Sequence, residues 1–124
     1  MKRARKILVV DDAFENRLLV RIVLEGAGYT VLEAGDANEA LNVLREHSPD
    51  LLLVDLSLRG MSGVDFIRTV RADAALGKLP IALYTASAIN AAMRDFLQLY
   101  AVRHIIPKPS EPALLVASIE AALT

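Results

Sequence analysis

Five side chains in this 124-residue chain are of types that can work together on phosphate: Asp11, Asp12, Asp55, Thr85 and Lys108. Carboxylates packed together repel, and each raises the others' pKa unless positive charge lies among them. An all-oxygen acidic cluster suits a hard cation, and a site with few protein ligands and several waters suits Mg²⁺, with Mn²⁺ as the alternative. Lys108 offers a second positive charge. A metal ion, a lysine and a hydroxyl around one carboxylate are the parts needed to receive a phosphoryl group. Metal and ammonium neutralise charge on the equatorial oxygens, Thr85 donates a hydrogen bond, and Asp55 is the nucleophile that becomes an aspartyl phosphate. Taken singly, each residue has an ordinary explanation. Asp11-Asp12 can cap a helix, Thr85 can end a strand, and Lys108-Pro109 can be a turn. The chemistry depends on a fold that brings all of them to one edge.

The pattern of the chain supplies such a fold. Ile7–Val10 and Leu51–Val54 are short, continuous apolar runs, as expected of strands buried on both faces, and Pro80 opens a third at Ile81–Tyr84. Tyr29–Ala34 carries polar Thr30 and Glu33 and reads as an edge strand; Val102–Ile106 is the last strand. Between them lie helical patterns. The first carries Phe14, Leu18, Leu19, Ile22 and Val23 and stops at Gly26 and Gly28. The second is capped by Asp36, carries Ala40, Leu41 and Leu44, and closes before Pro49. The third runs from Val64 to Ala72, with Phe66, Ile67 and Val70 facing inward. The fourth shows a stripe of Ile89, Met93, Phe96, Leu97 and Tyr100. The fifth is capped by Ser110, has Pro112 in its first turn and buries Leu115, Ile119 and Leu123. Five β–α units in strict alternation argue for an α/β, doubly wound five-stranded parallel sheet with helices on both faces. In such sheets ligands bind outside the carboxyl ends of the strands. Asp11-Asp12, Asp55, Thr85 and Lys108 each follow or end a strand, so they converge there.

Composition narrows the function classes. Lys plus Arg is 14 and Asp plus Glu 15, a net charge of −1, which argues against direct nucleic-acid or anionic-membrane binding as the main activity. Without cysteine there are no disulfides, thiolate catalysis or zinc–thiolate sites, and a cytoplasmic setting is expected. No apolar stretch is long enough to span a bilayer. The length fits one domain over residues 1–124, with residues 1–5 a basic solvated tail and no output domain following within the chain. His47 and His104 read as structural, and Gly60 and Gly63 match neither a Walker loop nor a dinucleotide fingerprint.

The chain resembles the receiver domain of bacterial two-component response regulators, free-standing or within a hybrid sensor histidine kinase. The matching stretches are Ile7–Asp12, Leu52–Asp55, Gly63 eight residues after Asp55, Leu83–Ala86 and Lys108-Pro109, with matching intervals between them. The resemblance covers essentially the whole chain. It implies a flavodoxin-like strand order 2-1-3-4-5 with five helices. It also implies that Asp55 is the phosphoacceptor, and that the metal is held by Asp12 directly, by Asp55, by Asp11 through water and by the Ser57 backbone carbonyl. Thr85 and Lys108 would bind the phosphoryl oxygens, Ala86 would leave the group accessible, and the Lys108-Pro109 bond is usually cis. The implied donor is a histidine kinase or histidine phosphotransfer domain. A downstream protein or a second copy would use the face of helix four, strand five and helix five. The chain would be a signalling phosphoacceptor that assists only its own phosphorylation and dephosphorylation.

Four positions depart from the family pattern. Arg59 stands where a proline is usual, Ile105 where an aromatic is typical, and Pro107 and Ser110 flank Lys108-Pro109 unusually. A phosphorylation-independent binding module is the alternative, but it predicts loss of an acidic residue or of the lysine, and none is lost. A nucleotide- or flavin-binding enzyme would need a glycine-rich cradle where Asp11-Asp12 stands.

Overall fold

β1 (Lys6–Val10), β3 (Leu51–Val54) and β4 (Ile81–Thr85) are the apolar runs of the sequence, and in this computed structural model they form the centre of one parallel sheet. The structure describes residues 3–124. With β2 (Thr30–Ala34) and β5 (His104–Pro107) at the edges, the strand order is β2-β1-β3-β4-β5, as the resemblance implies. Successive side chains of a strand point to opposite faces, so Leu8, Val10, Leu52, Val54 and Leu83 pack on one side and Ile7, Val9, Leu51, Leu53 and Ala82 on the other.

The helices are α1 (Phe14–Gly26), α2 (Ala37–His47), α3 (Gly63–Ala72), α4 (Ala91–Leu99) and α5 (Pro112–Leu123). The first sheet face is covered by Ala40, Leu41 and Leu44 of α2, by Phe66, Ile67 and Val70 of α3, and by Leu97 of α4. The second takes Val20 and Leu24 of α1 with Leu115 and Ile119 of α5. Three helices begin on side-chain caps: Asp36 accepts from Glu39 N, Ser62 from Asp65 N and Asn90 from Met93 N. None of the helices is long and apolar enough to cross a membrane among the described residues.

Several expectations need correction. In the α1 stripe Phe14, Leu18, Leu19, Ile22 and Val23, only Val23 packs against the core: Phe14 is 59% exposed, Leu19 65% and Ile22 60%. The inward row is Arg17, Val20 and Leu24, because Arg17 turns in to bond Asp11 O and Glu33 and fixes the rotation of the helix. Ser110 does not cap α5. Glu111 holds the cap position without a side-chain bond, and the Ser110 hydroxyl donates to Pro107 O instead. β5 starts at His104 rather than Val102, since Ala101 adopts a left-handed φ of 57° and Val102 serves the turn, though buried. The basic start is not wholly free: Arg3 makes two hydrogen bonds to Asp50, and Arg5 O accepts from Thr30 N. Met1 and Lys2 of that expected tail lie outside the described residues.

Candidate functional site

β1 and β3 are parallel neighbours with Val10 opposite Val54, so the next residues, Asp11 and Asp55, emerge side by side at the carboxyl edge of the sheet. Asp55 N donates to Val10 O at 3.1 Å and Asp11 N to Ala34 O at 3.2 Å, which continues the sheet's bonding one step past the strands and fixes both backbones. Both carboxylates are nearly buried, Asp11 at 4% and Asp55 at 9% exposure. Buried charge is costly unless paired and hydrogen-bonded, and both conditions are met. Lys108 Nζ lies 2.5 Å from Asp11 Oδ2 and 2.7 Å from Asp55 Oδ2. The other oxygens accept backbone N–H groups, Asp11 Oδ1 from Ala13 and Asp55 Oδ1 from Ser57. Burial works against the Lys108 charge, but the hydrogen bonds and charges of Asp11 and Asp55 outweigh it and hold its pKa above the ordinary lysine value. Lys108 N donates to Thr85 O, tying the β5 end to the β4 end, and the following Lys108-Pro109 bond is cis.

The remaining expected residues stand around this bridge. Asp12 lies at the rim, where Arg59 Nε approaches its Oδ2 to 3.7 Å. Thr85 is buried beside Lys108, with Oγ1 accepting from Ser87 N at 3.1 Å. That leaves the hydroxyl proton free to be donated. Ser57 touches Asp55 through its N–H. A cleft of about 360 Å³ runs from Thr85, Ala86 and Lys108 to Ile105, linking the acidic edge to β5. His47 and His104 lie away from the site, at the end of α2 and the start of β5.

Two features escaped the sequence reading, and Gly63, matched there by spacing alone, gains a physical reason. Arg17 donates to Asp11 O at 2.6 Å and holds the acidic turn from behind; a basic residue on the first turn after Asp11-Asp12 is the signal for it. Gly63 is obligatory, because a Cβ there would lie 2.7 Å from Leu56 Cα and 3.0 Å from Asp55 O. The apolar face of α1, already described, begins two residues beyond Asp12 and stays open.

The donor set fits a hard divalent cation, since carboxylate oxygens at one edge are what Mg²⁺ and Mn²⁺ select. Among the described residues no three such groups form a ready-made cage; Asp11 and Asp55 are drawn together by the Lys108 ammonium. Asp12, 33% exposed, is the carboxylate left facing outward.

Residues 7–120 match the family model for the response regulator receiver domain. Over 119 residues the chain is 40% identical to the DNA-binding response regulator MtrA of Mycobacterium tuberculosis, covering 96% of this chain and 50% of that protein. Over 120 residues it is 38% identical to the phosphate regulon transcriptional regulatory protein PhoB of Escherichia coli, covering 97% of this chain and 52% of that one. The chain thus spans about half the length of these relatives. The solved chemotaxis response regulator CheY4 of Vibrio cholerae superposes with a TM-score of 0.88 at 26% identity, covering 97% of this chain and 99% of that one. With the five-stranded order and the acidic edge in place, these matches settle the family: the chain belongs to the response regulator receiver domains, the phosphoacceptor modules of two-component signalling.

Proposed function

We propose that Asp55 is the phosphoacceptor of this receiver, and that Asp11, Asp12, Asp55 itself and the Ser57 carbonyl hold the Mg²⁺ ion that receiver domains generally use. The observation that carries this reading is the Lys108 ammonium shared between Asp11 and Asp55 at the carboxyl edge of the central strands. The bound cation would supply charge neutralisation at the phosphoryl oxygens. Asp55 attacks phosphorus, the P–N bond to a donor imidazole breaks, and its electron pair stays on that nitrogen. Lys108 exchanges its bond to Asp55 Oδ2 for one to a phosphoryl oxygen while keeping Asp11. Thr85 turns its free hydroxyl proton toward another. Because the Lys108 pKa is raised, its charge is complete across neutral pH. Its contribution to stability is present below the ordinary lysine pKa and is lost only as pH climbs through the raised value.

The donor is a protein carrying a phosphorylated histidine, a histidine kinase or phosphotransfer domain. It must reach Asp55 over the carboxyl edge, and the open apolar face of α1, Phe14, Leu18, Leu19 and Ile22, adjoins that edge as its seat. Acetyl phosphate with Mg²⁺ is expected to add one hydroxylamine-labile phosphoryl group to the wild-type chain and none to Asp55→Asn, whose amide is nearly isosteric. Labelling that persists in Asp55→Asn at another residue refutes the assignment. Lys108→Ala is expected to keep cation binding while weakening the response to phosphorylation.

A further inference from the structure

Each of the three carboxylates at the acidic edge faces a cation of the chain itself, but not in the same way. Asp11 and Asp55 share Lys108, and each accepts one hydrogen bond on either oxygen. Asp12 faces Arg59 at 3.7 Å, too far for a direct hydrogen bond, and the arginine side chain is 81% exposed. Arg59 is nevertheless not placed at random. It sits in the β3–α3 loop between Leu58 and Met61, both packed against the core, and Gly60 turns the backbone behind it with a φ of 79°. Gly63 closes the loop against Leu56 and Asp55 too tightly for any side chain. The loop backbone is therefore pinned on both sides of Arg59, which roots the side chain within reach of Asp12.

We propose that Arg59 is a tethered counter-ion that competes with the divalent cation for Asp12, so that this receiver takes up its metal against an internal rival. The inference rests on the reading of Asp11, Asp12 and Asp55 as the cation site. A guanidinium a few ångström from a carboxylate lowers the local negative potential that attracts a dication, and it repels the dication once bound. A proline, usual at this position in the resembling family, carries no charge and exerts neither effect. The pair is loose and open to solvent, so Arg59 can swing clear when the metal enters. Its effect is a bias on affinity rather than a block, and it is screened by salt.

The test is Mn²⁺ binding alone, measured by calorimetry and by the paramagnetic signal of free Mn²⁺, on the full chain with no phosphodonor. Arg59→Gln is expected to bind Mn²⁺ about three- to tenfold more tightly than wild type at low ionic strength, and the gap should close at about 0.5 M salt. Arg59→Lys, which keeps the charge, should stay near wild type. Asp12→Asn should weaken binding and remove the advantage of Arg59→Gln when the two are combined. Equal affinities for wild type and Arg59→Gln at low salt overturn the inference and leave the phosphoacceptor reading intact. A gap that ignores salt, with Arg59→Lys behaving like Arg59→Gln, overturns it too, because loop shape and not charge would then be the cause. Failure of every variant to bind Mn²⁺ at millimolar concentration removes the cation site, and this inference with it.

Discussion

The two faces of the sheet are finished differently. On the side of α2, α3 and α4, most apolar side chains are driven inward and closed over: Phe66, Ile67, Val70 and Leu44 are buried, and Met61, Leu76, Ile89, Met93 and Phe96 seal the margin, with Leu99 at the end of α4 the exposed exception. On the side of α1 and α5, Val20, Leu24, Leu115 and Ile119 make a smaller core, while Phe14, Leu18, Leu19, Ile22 and Leu114 remain exposed. Beyond Val20 and Leu24, α1 is also tied down by charge. Arg17 and Arg21 both reach Glu33 of β2, at 3.2 and 2.8 Å, and Arg21 also pairs with Glu25. A helix fastened by an inward arginine can keep its apolar stripe outside. The difference teaches that apolar content alone does not define a core face, because a partner-facing surface has the same composition.

The largest expected effect lies on the closed face. Phe66→Ala should destabilise the fold by about 3–5 kcal/mol, since the ring is wholly buried and its cavity cannot collapse easily. Urea unfolding measures this directly, and a loss under 1 kcal/mol, about what a surface change gives, would mean the α3 side is no tighter than the other. Next comes Gly63→Ala, at about 1–3 kcal/mol, because the new methyl would strike Leu56 backbone at 2.7 Å. Phosphorylation by acetyl phosphate should slow as well, as the displaced strand end is the one bearing Asp55. Smaller again is Glu33→Gln, which leaves Arg17 and Arg21 without their shared carboxylate. Both pairs are partly exposed, so the loss should be about 1 kcal/mol or less. Hydrogen exchange should rise along α1 and stay unchanged along α3. Equal rises in both helices would erase the distinction between a side tied partly by charge and one held by apolar packing.

The same contrast explains what the sequence disclosed. α2 was legible because cap, stripe and stop agree, Asp36 with Ala40, Leu41 and Leu44 before Pro49, and α3 by its stripe Phe66, Ile67 and Val70, its Ser62 cap going unread. The three central strands were legible because both of their faces are buried, and with them the edge that gathers Asp11, Asp12, Asp55, Thr85 and Lys108. α1 was misread by one helical row, because Arg17 occupies an inward position where a charge is not expected. Ser110 was misread for a similar reason, since a hydroxyl before a helix has other acceptors, here Pro107 O. Arg59 was visible as a departure from proline, but its pairing with Asp12 depends on loop geometry set by Gly60 and Gly63, which no periodicity encodes.

The smallest effect on stability is expected where the comparison is most exposed to failure. Leu19→Ser combined with Ile22→Ser changes two large apolar side chains on α1, each more than half exposed. If that stripe were core, the pair would cost several kcal/mol; as an open surface it should shift stability by about 0.5 kcal/mol or less. Function should separate into two readings. Acetyl phosphate, which needs no docking surface, should phosphorylate the double variant at the wild-type rate, because Asp55, Lys108 and Thr85 are untouched. Transfer from a histidine phosphodonor protein should fall by about tenfold or more, since apolar anchors at the centre of an interface dominate its affinity. Full transfer from the protein donor would place the docking face elsewhere on the molecule. A large loss of stability would instead return Leu19 and Ile22 to the core and undo the contrast between the two sides of the sheet.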